Sequence, residues 1–96
     1  MVPVRPIMGS EDDVRVWLVE RGYNNRDLIV LKYATPEGNR LFRRELAAQA
    51  IDMDTVTAAR DVSPDDLEAV VEADVRERYA AEARRMADEH DPDDTI

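Results

Sequence analysis

The single imidazole of this chain, His90, is the residue most suited to bind a divalent cation, because carboxylates surround it in the sequence. Those carboxylates are Asp88, Glu89, Asp91, Asp93 and Asp94. A metal site needs several ligands held in a fixed geometry, and this acidic run has the composition of a solvated helix end. We therefore expect no metal at His90 and no cofactor elsewhere in the chain.

The candidate nucleophiles for covalent catalysis are the two serines, Ser10 and Ser63. The sequence places no base beside either of them. Ser63 stands directly before Pro64 and two aspartates, so its hydroxyl is better suited to cap a helix. The three glycines are too far apart to form a phosphate-binding loop. The sequence therefore predicts that the protein is not an enzyme, and it indicates no small-molecule substrate.

The run Asp52-Met53-Asp54-Thr55-Val56 is similar to the Asp-x-Asp-x-Thr/Val pattern of haloacid-dehalogenase-type phosphatases. The resemblance implies that Asp52 attacks phosphorus while Mg²⁺ neutralises the phosphate. That family places the motif directly after a buried strand and uses a lysine further along the chain. Here Ala-Ala-Gln-Ala-Ile precedes the motif and no lysine follows it, so we expect a polar loop.

Charge composition is the most unusual property of the chain. Thirteen Asp and nine Glu stand against twelve Arg and one lysine, Lys32, for a net charge of −9. Residues 1–60 balance nine acids with nine bases, whereas 61–96 hold thirteen acids and four bases. This acidic excess with almost no lysine resembles the small uncharacterised acidic protein families of halophilic archaea. In ~1 M salt the Debye length is ~3 Å, so such a surface repels itself little. The resemblance implies a cytoplasmic protein whose folding depends on salt.

A chain of 96 residues is expected to form one domain, which we assign to residues 1–90. The chain has no cysteine, so it forms neither disulfides nor thiolate metal sites. No run approaches the ~18 consecutive apolar residues of a membrane helix, and we expect no membrane association. Pro3 and Pro6 predict a flexible arm over 1–12, and residues 91–96 are expected to form a disordered acidic tail.

Runs of β-branched, aromatic and other apolar residues predict the strands of an antiparallel meander, at about 14–20, 28–34 and 40–45. Between the second and third strands, Thr35-Pro36-Glu37-Gly38-Asn39 predicts a hairpin loop, because Pro presets φ and Gly accepts a positive φ. A fourth strand over 55–61 stays open.

The segment 43–51 is left open between strand and helix, since its residues are also good helix formers. Ser63-Pro64-Asp65-Asp66 predicts the start of a long helix over 64–89, and whether that helix breaks near 70–72 stays open. Its apolar stripe consists of Leu67, Val71, Val75, Tyr79 and Met86. The predicted fold is therefore α+β, an antiparallel three- to four-stranded meander with a long C-terminal helix packed on one face.

Apolar residues occur on both faces of the first two strands, and one helix covers only one face of a small sheet. An exposed apolar face is typical of an interface, and a symmetric dimer is the commonest way to cover it. Candidates for self-association are Trp17, Val19, Leu28, Ile29, Val30 and Leu31. The leading hypothesis is thus a non-enzymatic interaction or regulatory module that forms a homodimer or binds another protein.

The alternative is a nucleic-acid-binding protein, because arginines interleaved with aromatic residues on a sheet can follow phosphates and stack bases. Candidates for that face are Arg15, Lys32, Tyr33, Arg40, Phe42, Arg43 and Arg44. The same half of the chain carries as many acids as bases, and molar salt suppresses counterion release. Nucleic acid is therefore the second choice of partner.

Overall fold

A five-stranded antiparallel sheet with one helix packed against it is the architecture of the chain. The computed structural model describes residues 13–23, 28–47 and 56–96. The strands are β1 (Val14–Tyr23), β2 (Leu28–Ala34), β3 (Arg40–Ala47), β4 (Ala59–Val62) and β5 (Glu68–Ala69), and the helix is α1 (Ala73–Glu89). Their order across the sheet is β4-β1-β2-β3-β5. The predicted α+β fold is confirmed.

The pairing of β1 with β2 contains an irregularity that decides which side chains share a face. Trp17 lies opposite Ala34, but after a shift between Leu18 and Glu20 the next pair is Glu20 opposite Lys32. A bulge adds one residue to one strand and leaves its partner unchanged. Side chains of β1 beyond the bulge therefore change parity, which the alternation of the sequence alone does not reveal.

The turn between β2 and β3 lies where Pro36 and Gly38 predict it. Gly38 has a φ of 74°, and its amide donates to the carbonyl oxygen of Thr35 at 2.8 Å. The Thr35 hydroxyl donates to the side-chain oxygen of Asn39 at 3.0 Å. Only glycine adopts this φ without strain, and a Cβ on Gly38 would lie 2.1 Å from the carbonyl oxygen of Arg76 in α1. The turn is thus packed directly under the helix.

The long helix begins at Ala73, so a continuous helix over 64–89 is wrong, and the break that the sequence left open near 70–72 is observed. Ser63 does act as a cap, but it caps a separate short 3-10 helix, Pro64–Asp66. The chain then extends along β3 as β5, and the Val70 amide donates to the carbonyl oxygen of Asn39 at 3.0 Å. Val71, which the predicted stripe places inside, is 77% exposed. The β-branched pair Val70-Val71 favours this extended path.

The acidic tail has a defined backbone path, in contrast to the predicted disorder. The amides of Ala58 and Ala59 donate to the carbonyl oxygens of Asp94 and Pro92 at 2.9 and 3.0 Å. The Ile96 amide donates to the carbonyl oxygen of Val56 at 2.9 Å. Backbone pairing does not depend on side-chain charge, so an acidic composition does not prevent it.

The structure answers only part of what the sequence left open about the other elements. The strand left open over 55–61 is observed as β4, preceded by an isolated bridge between Thr57 and Thr95. β3 extends to Ala47, so the start of the 43–51 segment is strand. The predicted arm 1–12, residues 48–51 and the aspartates Asp52 and Asp54 lie outside the described residues.

Five residues are the largest fully buried side chains of the core, and the three that lie in strands share one face of the sheet. They are Tyr33, Leu31, Val16, Val56 and Thr35. From α1, the buried residues are Tyr79, Ala83 and Met86. Within the described ranges, the structure holds no helix of the length and apolar character that a bilayer crossing requires.

Candidate functional site

One face of the sheet lies against α1, and we call it the helix face. The Tyr79 hydroxyl donates to the Glu20 carboxylate (Oε1) at 3.1 Å, and the Tyr79 ring packs with Ala34. Glu20 lies opposite Lys32, and directly opposed residues of an antiparallel pair share a face. Lys32 therefore lies on the helix face too, and alternate residues of each strand belong to the opposite face.

Ion pairs neutralise the bases that β1, β2 and β3 present on the helix face. The pairs are Lys32 with Glu20, Arg43 with Glu45, and Arg15 with Asp61. The nitrogen-to-oxygen distance is 3.7 Å in the first pair and 2.7 Å in the second. In the third, the hydrogen bond from Arg15 holds the pKa of the Asp61 carboxyl below its ordinary value.

The opposite face, which we call the arginine face, has a different charge pattern. The register places Leu18 opposite Tyr33 and Tyr33 opposite Phe42 on this face. Its charged residues in the described strands are Arg21, Arg40, Arg44 and Arg60. The acids of these strands, Glu20, Glu45, Asp61 and Glu68, all fall on the helix face. A chain of net charge −9 thus concentrates positive charge on one face of its sheet.

Two of these arginines converge on one buried tyrosine. Arg60 reaches from β4 until its guanidinium carbon lies 5.8 Å from the centroid of the Phe42 ring, a cation–π arrangement. The Tyr33 and Phe42 rings lie 5.9 Å apart with an interplanar angle of 48°. Tyr33 is fully buried. Arg44 lies on β3, so the two arginines approach Tyr33 from strands on either side of β2.

Polar atoms in this cluster are buried and lack partners. The Tyr33 hydroxyl, Arg44 Nη1 and Arg60 Nε make no hydrogen bond of ordinary geometry. Burial raises the pKa of the Tyr33 hydroxyl, whereas the nearby positive charges of Arg60 and Arg44 act to lower that pKa. In the described part of the chain, neither arginine has an ion-pair partner. Guanidinium groups whose N–H donors lack acceptors can bind an anion.

The residues proposed for a nucleic-acid face are divided between the two faces. Tyr33, Arg40, Phe42 and Arg44 share the arginine face, whereas Arg15, Lys32 and Arg43 lie on the helix face in ion pairs. Arg60 also lies on the arginine face, although the sequence does not indicate it as a candidate. Arg60 lies opposite Val16, a contact that depends on β4 pairing with β1 and that no local pattern indicates.

The residues proposed for self-association are largely internal. Trp17 and Ile29 are each 7% exposed and Leu31 is fully buried, so the chain's own core already covers them. Val19, Leu28 and Val30 are only partly buried. A second copy could reach these three, but it could not use the continuous apolar face that the sequence predicts.

The outer edge of β3 offers backbone groups instead. β5 pairs with β3 at Arg40 and Leu41, and in the described residues no strand continues that pairing beyond Leu41. The carbonyl oxygen of Arg40 accepts from Thr35 on the β2 side, and successive peptide groups of a strand point to opposite sides. The amide and carbonyl groups of Arg43 and Glu45 therefore point outward. We call residues 42–46 the β3 edge.

The histidine has one acidic neighbour within ion-pair distance. His90 Nδ1 lies 3.6 Å from Asp94 Oδ2. Within the ranges that the structure describes, no three His, Asp or Glu side chains are grouped so that they could hold a metal ion.

Comparison with known proteins identifies the family of the chain. A family model described as a family of unknown function, DUF7967, matches residues 10–96, and the chain belongs to that family. No curated protein and no solved structure matches it. The match includes every strand of the sheet and α1, so the family is defined by the whole domain rather than by a short motif.

Proposed function

We propose that this member of the DUF7967 family is a non-enzymatic interaction module that associates with a second copy of itself through the β3 edge. The supporting observation is the row of outward-pointing backbone groups at Arg43 and Glu45, both of which are exposed. An exposed strand edge is a template for another strand. The occupant that fits best is the same edge of a second copy, for reasons of register and charge.

Symmetry restricts how two β3 edges pair. A two-fold axis normal to the sheet makes the strands antiparallel, and β5 already occupies Leu41. The register centred on Arg44 places Arg43 opposite the partner's Glu45 and Phe42 opposite the partner's Leu46. Arg43 and Glu45 then exchange backbone hydrogen bonds, as their outward orientation requires. A register centred on Glu45 places like charges together and forms no ion pair.

The balance of these contacts indicates weak association. Each opposite-charge or apolar cross-strand pair contributes ~0.2–1 kcal/mol, and a like-charge pair costs a similar amount. The two-fold axis produces two Arg43–Glu45 pairs and two Phe42–Leu46 pairs, all of them favourable. The like-charge contact of Arg44 with the partner's Arg44 occurs only once, at the axis. The favourable contacts prevail, but a five-residue edge is smaller than a standard interface. We expect a Kd above ~1 µM.

Sedimentation velocity over a concentration series tests the pairing. Arg43→Glu places glutamate opposite the partner's Glu45 and should weaken association. Glu45→Arg should do the same through arginine pairs. The double variant carrying both changes restores opposite charges across the axis and should regain the wild-type Kd.

The matched control is Arg15→Glu, which makes the same change of charge at a helix-face ion pair far from β3. It should leave the Kd unchanged, with circular dichroism confirming that it folds. A wild-type chain that stays monomeric at its highest soluble concentration would refute the proposal. So would a double variant that associates no better than either single variant.

Nucleic acid as the partner has less support from the geometry. The Tyr33 ring is fully buried, and one side of the Phe42 ring lies under the Arg60 guanidinium. Base stacking needs an exposed aromatic face. Binding of nucleic acid by the predicted residues would therefore require the core to open.

We also propose a cytoplasmic location in concentrated salt, supported by the net charge of −9 and the single lysine. Repulsion within this charge distribution destabilises the compact state in dilute buffer and is screened in molar salt. The melting temperature should rise from low salt to molar KCl. A melting temperature that stays flat or falls over that range would contradict the proposal.

A further inference from the structure

We propose that Arg44 and Arg60 form an oxyanion-binding site on the arginine face, and that its ligand is a phosphate dianion, free or as a monoester. The site does not depend on pairing of the β3 edge, because Arg60 lies on β4 at the opposite side of the sheet.

The charge distribution supports an anionic ligand. All the acids of the described strands fall on the helix face, where the bases Arg15, Lys32 and Arg43 have acidic partners. Arg44 and Arg60 are half-buried and form no ion pair with a described carboxylate. Two half-buried guanidinium groups near one hydroxyl repel each other and are poorly hydrated. An anion between them removes both penalties.

The unpartnered atoms support binding through hydrogen bonds. Arg44 Nη1 and Arg60 Nε are buried N–H donors without acceptors of ordinary geometry, and the Tyr33 hydroxyl beside them also lacks such a partner. Most buried polar groups in folded proteins have partners, so three without partners in one cluster require an explanation. An oxyanion that enters beside the half-exposed side chains of Arg44 and Arg60 supplies acceptors to all of them once the ends of those side chains turn toward it.

The two positive charges favour a dianion. A phosphate or phosphomonoester carries a charge of about −1.5 to −2 near pH 7, which matches two guanidinium groups. A carboxylate or the phosphodiester of a nucleic acid carries one negative charge and leaves one guanidinium uncompensated. Arginine also binds phosphate through paired N–H groups.

The arginines are held in place before a ligand arrives. The Arg60 guanidinium lies over the Phe42 ring, and Phe42 packs against Tyr33. Arg44 lies opposite Leu31, which is fully buried. Because the packed sheet anchors both arginines, only the ends of their side chains reorient on binding and little freedom is lost.

Isothermal titration with inorganic phosphate, in KCl that keeps the ionic strength constant, tests the site. Arg44→Ala and Arg60→Ala each remove charged hydrogen bonds and should raise the Kd about 10- to 100-fold. The matched control is Lys32→Ala, which removes a positive charge from the residue next to Tyr33 on the other face of the sheet and should leave the Kd unchanged. Arg60→Ala leaves the β3 edge intact, so its effect is separate from self-association.

Tyr33→Phe provides a readout that survives if an arginine variant fails to fold. It removes only the hydroxyl and should weaken phosphate binding several-fold while the protein stays folded. Adenosine 5′-monophosphate should bind as phosphate does, whereas a single-stranded oligonucleotide without terminal phosphates should bind more weakly. The proposal is overturned if phosphate binds no better than chloride or if Lys32→Ala weakens binding as much as Arg44→Ala. It is also overturned if Tyr33→Phe leaves binding unchanged, or if the oligonucleotide binds more tightly than phosphate.

Discussion

Replacement of Gly38 by alanine tests how closely the β2–β3 turn packs under the helix. Gly38 has a φ of 74°, which costs an L-residue ~1–2 kcal/mol. The added Cβ would lie 2.1 Å from the carbonyl oxygen of Arg76 and 2.7 Å from the amide nitrogen of Ala80. Both atoms belong to the helix backbone, so α1 must move away from the sheet to relieve the contact.

Overpacking of this kind costs ~1–3 kcal/mol, which with the φ term gives a loss of ~2–5 kcal/mol for Gly38→Ala. Urea unfolding followed by circular dichroism, at the salt concentration of maximum stability, measures this loss. The matched control is Gly22→Ala, because a Cβ on Gly22 meets nothing within 4 Å. It should change the free energy of unfolding by less than ~1 kcal/mol.

The packing of α1 over the turn would be refuted by a Gly38→Ala variant as stable as the wild type. Equal losses in the two alanine variants would refute it as well. That outcome would assign the effect to glycine itself and not to the position of the helix.

The tail and the helix-face ion pairs give two further predictions. Truncation after His90 removes the acceptors of the Ala58 and Ala59 amides. Water then reaches these amides, so each lost hydrogen bond costs its net ~0.5–1.5 kcal/mol, and urea unfolding should show a loss of ~1–3 kcal/mol. An unchanged stability would mean that the tail does not pair. The lowered pKa of Asp61 stabilises the fold above the ordinary value of 3.8 and ceases to do so as the pH falls through the lower folded-state pKa. Asp61→Asn should therefore cost up to ~1 kcal/mol at pH 7, since the pair is exposed. The difference should vanish once the pH has fallen below the lowered pKa of Asp61; a difference that persists in acid would contradict the ion-pair assignment.

Much of the fold follows from local signals in the sequence. The spacing of Pro36 and Gly38 specifies the hairpin. The apolar runs on either side of it are too short to form helices. A continuous helix from residue 64 was wrong because a Ser-Pro-Asp-Asp cap is satisfied equally by a single 3-10 turn. Pairing of Glu68 and Ala69 with β3 is a contact between distant segments, and local propensity carries no information about it.

The candidate site was less accessible to sequence reasoning. Strict alternation already separates Arg43 from Arg44, and it could have removed Arg43 from the proposed nucleic-acid face. The bulge after Leu18 changes the parity of Arg21, and the place of Arg60 depends on β4 lying beside β1. A surface assembled from separate strands needs the strand order and the register, which short motifs do not encode.

The separation of paired and unpaired arginines between the two faces is the central claim, and arginine side-chain NMR tests it most directly. A phosphate titration at constant ionic strength, followed through the ¹⁵Nε–H resonances, reports each guanidinium separately. The resonances of Arg44 and Arg60 should shift to saturation, while those of Arg15 and Arg43, held by Asp61 and Glu45, should stay in place. Equal shifts of all four resonances, or shifts confined to Arg15 and Arg43, would contradict the claim.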